Sequence, residues 1–99
     1  MAPLKSNPEL FVTPPAPPDV LFAALADPTR RAIFERLSRN GEQTVHALTE
    51  EARVSQPAVS KHLNVLKAAG LVSYRREGRE THYMAQPQAL GPLVEWMRF

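Results

Sequence analysis

Proline sets where this chain can begin to fold. Six of the ten prolines (Pro3, Pro8, Pro14, Pro15, Pro17 and Pro18) lie within the first 18 residues. Each lacks the N–H that a helix interior or a central strand uses. Residues 1–18 therefore read as an extended arm, and residues 19–99 as the folded domain. Inside the arm, Leu10-Phe11-Val12 is apolar enough to dock elsewhere, for instance on a partner subunit. What remains is one small domain, which buries only a limited fraction of its surface, so any surplus apolar face points to a dimer.

Caps and breakers then divide the domain. Asp19 reads as the N-cap of a short, nearly all-apolar helix, Val20 to Ala26, which needs burial on more than one side. Asp27-Pro28 restarts the chain with a cap and a proline at the first helical position. That helix runs to about Arg39, with Ile33, Phe34 and Leu37 inward and Arg30, Arg31 and Glu35 outward, and stops at Asn40-Gly41. Thr44 caps a third helix through about Ala52, burying Val45 and Leu48, and Ser55 caps a fourth that reaches Ala69 before Gly70. Residues 71–76 and 79–84 read as the strands of a hairpin around Glu77-Gly78, and Ala89 to Phe99 as a last amphipathic helix weakened at its start by Gly91 and Pro92. The expected class is mainly α (α+β): four helices, a two-stranded hairpin, one helix.

The third and fourth helices, joined by a three-residue turn, have helix-turn-helix spacing. At 100° per residue, Val59, Leu63 and Leu66 fall on one side of the fourth helix with Ala58, His62 and Val65 beside them. Gln56, Ser60 and Asn64 fall opposite, flanked by Pro57, Lys61 and Lys67. Such a face is small, polar and basic. Gln bonds adenine bidentately, Ser reaches bases or phosphate, and Lys contacts phosphate or guanine. In the hairpin, Arg75, Arg76 and Arg79 surround the Gly78 tip and make a cationic wing suited to phosphates or a narrow minor groove, with Glu77 and Glu80 reducing its charge.

Net charge is only +2, but its distribution is uneven. From Arg53 to Tyr83 six Lys or Arg stand against two Glu, a balance of +4, whereas Glu42 to Ala52 carries −3. A localised basic block is the footprint of a phosphate-binding face. Double-stranded DNA is the partner this implies. A winged helix used as a protein-interaction or RNA-binding module is the alternative, and it would need neither the outward Gln56, Ser60 and Lys61 nor the cationic hairpin. Salt-dependent retention on random duplex DNA separates the two.

Other chemistry is poorly supported. There is no cysteine, which removes disulfides and thiolate metal sites together. His46, His62 and His82 fall on separate elements without the i, i+4 spacing of a helical zinc site, so no metal or other cofactor is expected. His62 reads as a core or interface residue and the other two as surface residues. Ser60-Lys61-His62 is not catalytic, because consecutive helical residues diverge by 100°, and Glu50-Glu51 is a solvated pair; an enzyme is not expected. With no apolar run of about 18 residues and no signal-peptide core behind Met1, a cytoplasmic protein held on the nucleoid by DNA is expected.

Three blocks carry a family resemblance: Leu25-Ala26-Asp27-Pro28-Thr29-Arg30-Arg31-Ala32-Ile33; Val54-Ser55-Gln56-Pro57-Ala58-Val59-Ser60-Lys61-His62-Leu63; and Leu66-Lys67-Ala68-Ala69-Gly70-Leu71-Val72 followed by Arg76-Glu77-Gly78-Arg79. In this order and spacing the chain resembles the ArsR-type winged helix-turn-helix regulators over about residues 20–98. The resemblance implies a homodimer joined through the first and last helices, binding an inverted-repeat operator, usually as a repressor. Matching the recognition helix gives Gln56, Pro57, Ser60 and Lys61 as DNA contacts, to which the residue reading adds Thr44, Ser55, Asn64, Arg75, Arg76 and Arg79. The dimer face is expected from Leu21, Phe22, Leu25, Leu90, Leu93, Val94, Trp96 and Met97. Thr44-Val45-His46 stands where metal-sensing members carry Cys-Val-Cys, and the last helix has Glu95 alone, so the family's sensing chemistry is missing. Arsenite and cadmium are not expected to release the protein from DNA, because soft ions need thiolates. Nor is zinc, which accepts imidazole but needs several ligands converging, where the three histidines sit on separate elements. Arg53 occupies a turn position where Gly is usual, so either a different turn or a tolerated left-handed conformation, costing about 1–2 kcal/mol, is expected there.

Overall fold

The computed structural model describes residues 16–98; the arm segment Leu10-Phe11-Val12 and Phe99 lie outside them. Helix α1 spans Pro18–Ala26 and starts earlier than Asp19 would have it. Pro17, extended at φ −66° and ψ 159°, stands at the N-cap and Pro18 takes the first helical position. A fixed proline φ suits that position, and its missing N–H would have had no helical partner anyway. The arm's last proline thus begins the helix.

Helix α2 spans Pro28–Asn40, capped by Asp27, whose Oδ1 accepts the Arg30 N–H at 3.0 Å. Arg30 and Arg31 lie on the outward side as expected, Arg31 exposed and Arg30 half-buried, and their guanidinium groups turn back onto the end of α1. Arg30 Nε donates to the Ala24 carbonyl at 2.5 Å and its Nη2 to Ala23 at 3.1 Å, while Arg31 Nη1 donates to Leu25 at 2.6 Å. These carbonyls are the ones a helix end leaves without partners. Cationic side chains at a helix C-terminus also favour its dipole, so the α1–α2 corner is fixed by charge as well as by proline.

Strand β1, Gln43–Thr44, is only two residues long. Thr44 is also the N-cap of helix α3 (Val45–Ala52), its Oγ1 accepting the Ala47 N–H at 3.1 Å. Arg53 ends α3 in the left-handed region at φ 61° and ψ 30°. Ser55 then caps helix α4 (Gln56–Ala68), accepting the Ala58 N–H at 3.2 Å. At the far end of α4, Gly70 at φ 79° lets its N–H reach the Lys67 carbonyl while Leu71 N–H reaches Leu66, both at 2.9 Å. Paired bonds of this kind are the Schellman ending.

Strands β2 (Val72–Glu77) and β3 (Glu80–Ala85) form the hairpin, one residue later than the alternation suggests. The sheet order is β1-β3-β2, so the wing has three strands rather than two. Gln43 pairs with Tyr83 and Thr44 with His82. The hairpin closes between Glu77 and Glu80, with Gly78 at φ 63° in the tip and Arg79 beside it, the pattern of a II′ turn. The single final helix expected over Ala89–Phe99 is split into a 3₁₀ turn, Pro87–Leu90, and helix α5, Gly91–Met97. Pro92 cannot donate back into a preceding helical turn, which explains the break.

One core joins these elements. Leu21 from α1, Leu37 from α2, Leu48 from α3, Leu63 from α4 and Leu71 behind it are nearly or fully inaccessible, and Tyr83 closes the sheet side. Val59, Leu63 and Leu66 form the buried stripe of α4 as the spacing requires, whereas Val65 is exposed. It lies roughly 120° from the centre of that stripe, too far round to share it.

Candidate nucleic-acid interface

Helix α4 is the best-defined candidate surface. Its apolar stripe is consumed by the core, which fixes the opposite face outward. Pro57, Lys61 and Asn64 are exposed along it, and Ser60, about 90° from the stripe, is half-buried at its edge. Gln56, expected opposite the stripe, lies only about 50° from it and is exposed in the first turn, as is Ser55 at the cap. Among the described residues, the side chains of Gln56, Lys61 and Asn64 make no hydrogen bond or ion pair. Their donors and acceptors are therefore available to a ligand. Ser55 and Thr44 use their oxygens as acceptors at the two caps but keep a hydroxyl proton to donate. His62 is half-buried on the flank rather than in the core, with Arg30 Nη1 3.4 Å from its Nδ1. The guanidinium has only donors, so a bond there makes Nδ1 the acceptor.

The three wing arginines are not equivalent. Arg75 is held by Glu42 at 2.6 Å and Glu77 at 2.8 Å. Hydrogen bonds to these carboxylates, Glu42 first, push its pKa further up, and the same Arg75 contact holds the Glu77 carboxyl below its usual range. His82 joins them, with Nδ1 3.1 Å from Glu42 and Nε2 3.7 Å from Glu80 and 3.9 Å from Glu77. Arg76 and Arg79 have no ion pair among the described residues and are exposed near the tip. Of the wing cations expected to face DNA, these two are presented, and Arg75 instead ties β2 to the residue before β1. Lys67 lies over the Tyr74 ring at 4.6 Å, so its charge is partly engaged by the base of the wing.

One feature escaped the sequence. Glu42 shows no pattern of its own, because its partner lies 33 residues away. Arg53, a misfit at a turn where Gly is usual, takes the left-handed backbone rather than a different turn. Among the described residues, no group of three or more His, Cys, Asp or Glu is arranged to hold a metal ion, and no helix is long and apolar enough to cross a membrane.

The expected dimer residues divide into three sets. Leu21 at 0% and Leu93 at 7% exposure belong to the subunit's own core and offer no surface to a partner. Leu25 and Leu90 are half-buried against that core. Phe22, Val94, Trp96 and Met97 are exposed, together with Val20. Phe22 and Trp96 meet edge-to-face across α1 and α5, with centroids 5.3 Å apart. Beside them runs an open groove of about 1480 Å³, whose walls include Ala16, Val20, Val72, Leu90 and Val94.

Comparisons with known proteins agree with this geometry. Residues 25–75 match a family model described as a helix-turn-helix domain. The chain is 36% identical over 77 residues to transcriptional repressor SdpR of Bacillus subtilis (strain 168), covering 78% of this chain and 84% of that one. Its fold matches the crystal structure of an ArsR family transcriptional regulator, RHA00566, with TM-score 0.73 and 33% identity over 80% of each chain. It also matches the homodimeric winged helix-turn-helix DNA-binding domain of a possible ArsR-family regulator from Mycobacterium bovis, with TM-score 0.68 and 31% identity, covering 79% of this chain and 74% of that one. With more than half its length matched, its recognition helix and wing in place and relatives of this kind, the chain belongs to the ArsR-type family of winged helix-turn-helix transcriptional regulators.

Proposed function

We propose that this protein is a homodimeric repressor that binds an inverted-repeat operator through α4 and the β2–β3 wing. One observation carries the reading: the core takes the whole apolar stripe of α4 and leaves Gln56, Lys61 and Asn64 exposed and unbonded among the described residues. A helix of that kind fits the major groove, where Gln56, Ser60 and Asn64 face base edges and Lys61 a phosphate. Pro57 packs alongside, and the hydroxyls of Thr44 and Ser55 donate to the sugar–phosphate backbone. Arg76 and Arg79 reach the backbone or the adjacent minor groove.

Dimerisation is supported by the exposed Val20, Phe22, Val94, Trp96 and Met97 on the first and last helices, where Phe22 and Trp96 meet and Val20 and Val94 line the groove. The homodimeric domain matched in structure and the relative named a repressor support the same reading. A twofold dimer presents two copies of α4, and sites roughly 34–36 Å apart, one helical turn of DNA, give the operator its inverted symmetry. Footprinting on genomic DNA tests this directly. Paired protections related by a dyad are expected, and single unpaired footprints or none at all would overturn the proposal.

A further inference from the structure

Among the described residues, Arg53 is the only non-glycine with positive φ. Glycine enters the left-handed region without steric penalty, and a residue with a Cβ does not. Backbone conformations of this sort persist where the surroundings impose them, and they concentrate at sites of function. Arginine is a poor choice for the turn on conformational grounds alone.

Its side chain explains nothing about the fold either. Arg53 is exposed and makes no hydrogen bond or ion pair among the described residues. Two carboxylates stand close in sequence on the last turn of α3, but both are engaged elsewhere. Glu51 pairs with Arg36 at 2.9 Å and Glu50 with His46 at 3.2 Å. Arg30, Arg31, Arg36 and Arg75, by contrast, all serve the subunit through carbonyls or carboxylates.

Position supplies the remaining argument. Arg53 precedes the Ser55 cap by two residues and Gln56 by three, so it sits at the end of α4 that the proposed function brings to DNA. From these observations we infer that Arg53 is a further DNA contact, donating its guanidinium to a backbone phosphate beside the N-terminus of the recognition helix. The contact is independent of sequence, because phosphates carry no base identity.

The inference rests on the DNA-binding reading, and one experiment separates their failures. A fluorescein-labelled 30-base-pair duplex of mixed sequence is titrated with full-length protein from 50 to 200 mM salt, and binding is read by anisotropy. Wild-type protein, R53Q, R53K and R53G are compared, with thermal melting of each. Loss of one phosphate contact should weaken binding by roughly tenfold per subunit at 50 mM salt and make the log–log salt slope about one unit less steep. R53Q is expected to show this and R53K to retain most of the wild-type affinity and slope. R53G is expected to bind as weakly as R53Q while melting no lower than wild type, since glycine suits the turn. That pairing of undiminished stability with lost affinity is one that a purely structural residue does not produce. Wild-type slope and affinity in folded R53Q or R53G would overturn the inference. A wild-type protein that ignores the duplex would instead remove the DNA-binding reading beneath it.

Discussion

Single side chains fix the local geometry of the interface, and some of them were readable in advance. Asp27, Thr44 and Ser55 each accept an N–H three residues on, a bond confined to one turn and therefore legible as a spacing. Arg30 and Arg31 reach across a corner to carbonyls six or seven residues back, and no local pattern announces that. Arg53 takes the left-handed conformation that its turn position raised as one outcome, at a cost of about 1–2 kcal/mol, and the backbone angle decides it against a different turn. Replacing Gln56 or Ser60 by Ala should erase discrimination at the contacted base pair, at about 1–3 kcal/mol for a good contact, while binding to random duplex changes little. Competition with single-base operator variants measures that difference. Asp27 gives a second test, because its carboxyl is held below the usual value, chiefly by the hydrogen bond from the Arg30 N–H. A depressed folded pKa means stability present above the unfolded pKa and lost as pH falls through the carboxylate range. Asn also caps helices well, so Asp27→Asn should fold at neutral pH and melt with a weaker dependence on pH below about 4.

Among the elements, long periodic helices and the Gly-tipped hairpin were legible, and short pieces were not. α4 repeats its buried residues over about two turns, which identifies its face, whereas β1 is two residues and has no period to read. The final helix was misread as continuous because Leu90, Leu93, Val94 and Met97 keep helical spacing across a proline break. In the wing, Arg75 serves the sheet and Arg79 has no ion pair among the described residues. Arg79→Ala should therefore weaken binding evenly across sequences and flatten the salt dependence by about one unit for each phosphate released. Arg75→Ala should change the slope less and lower the melting temperature more, because Glu42 and Glu77 lose their common partner. Equal slopes for Arg79→Ala and wild type would make the hairpin a structural element only.

The whole molecule poses the question of its partner subunit. Leu93 looked like an interface residue from spacing alone, yet it is buried within the subunit, and Val94 beside it is 48% exposed. Introducing Asp at the two positions should give opposite results. Leu93→Asp places a charge in the core and should unfold the subunit. Val94→Asp should leave a folded monomer in sedimentation equilibrium at micromolar concentration, with DNA affinity reduced because one subunit engages only one half-site. A Val94→Asp protein that remains dimeric would move the interface elsewhere. Thr44 has a double membership, closing β1 against His82 of β3 while capping α3. Wing and helix pair are thereby bolted to one frame, so meeting DNA demands little folding from the protein. Calorimetry should reveal this as a small negative heat-capacity change, in proportion to the surfaces brought together. The large value that accompanies a segment ordering on contact should be absent. Whatever misfit remains at the operator then has to be absorbed by the DNA, and sequences that bend easily between the half-sites should be favoured at positions no side chain touches.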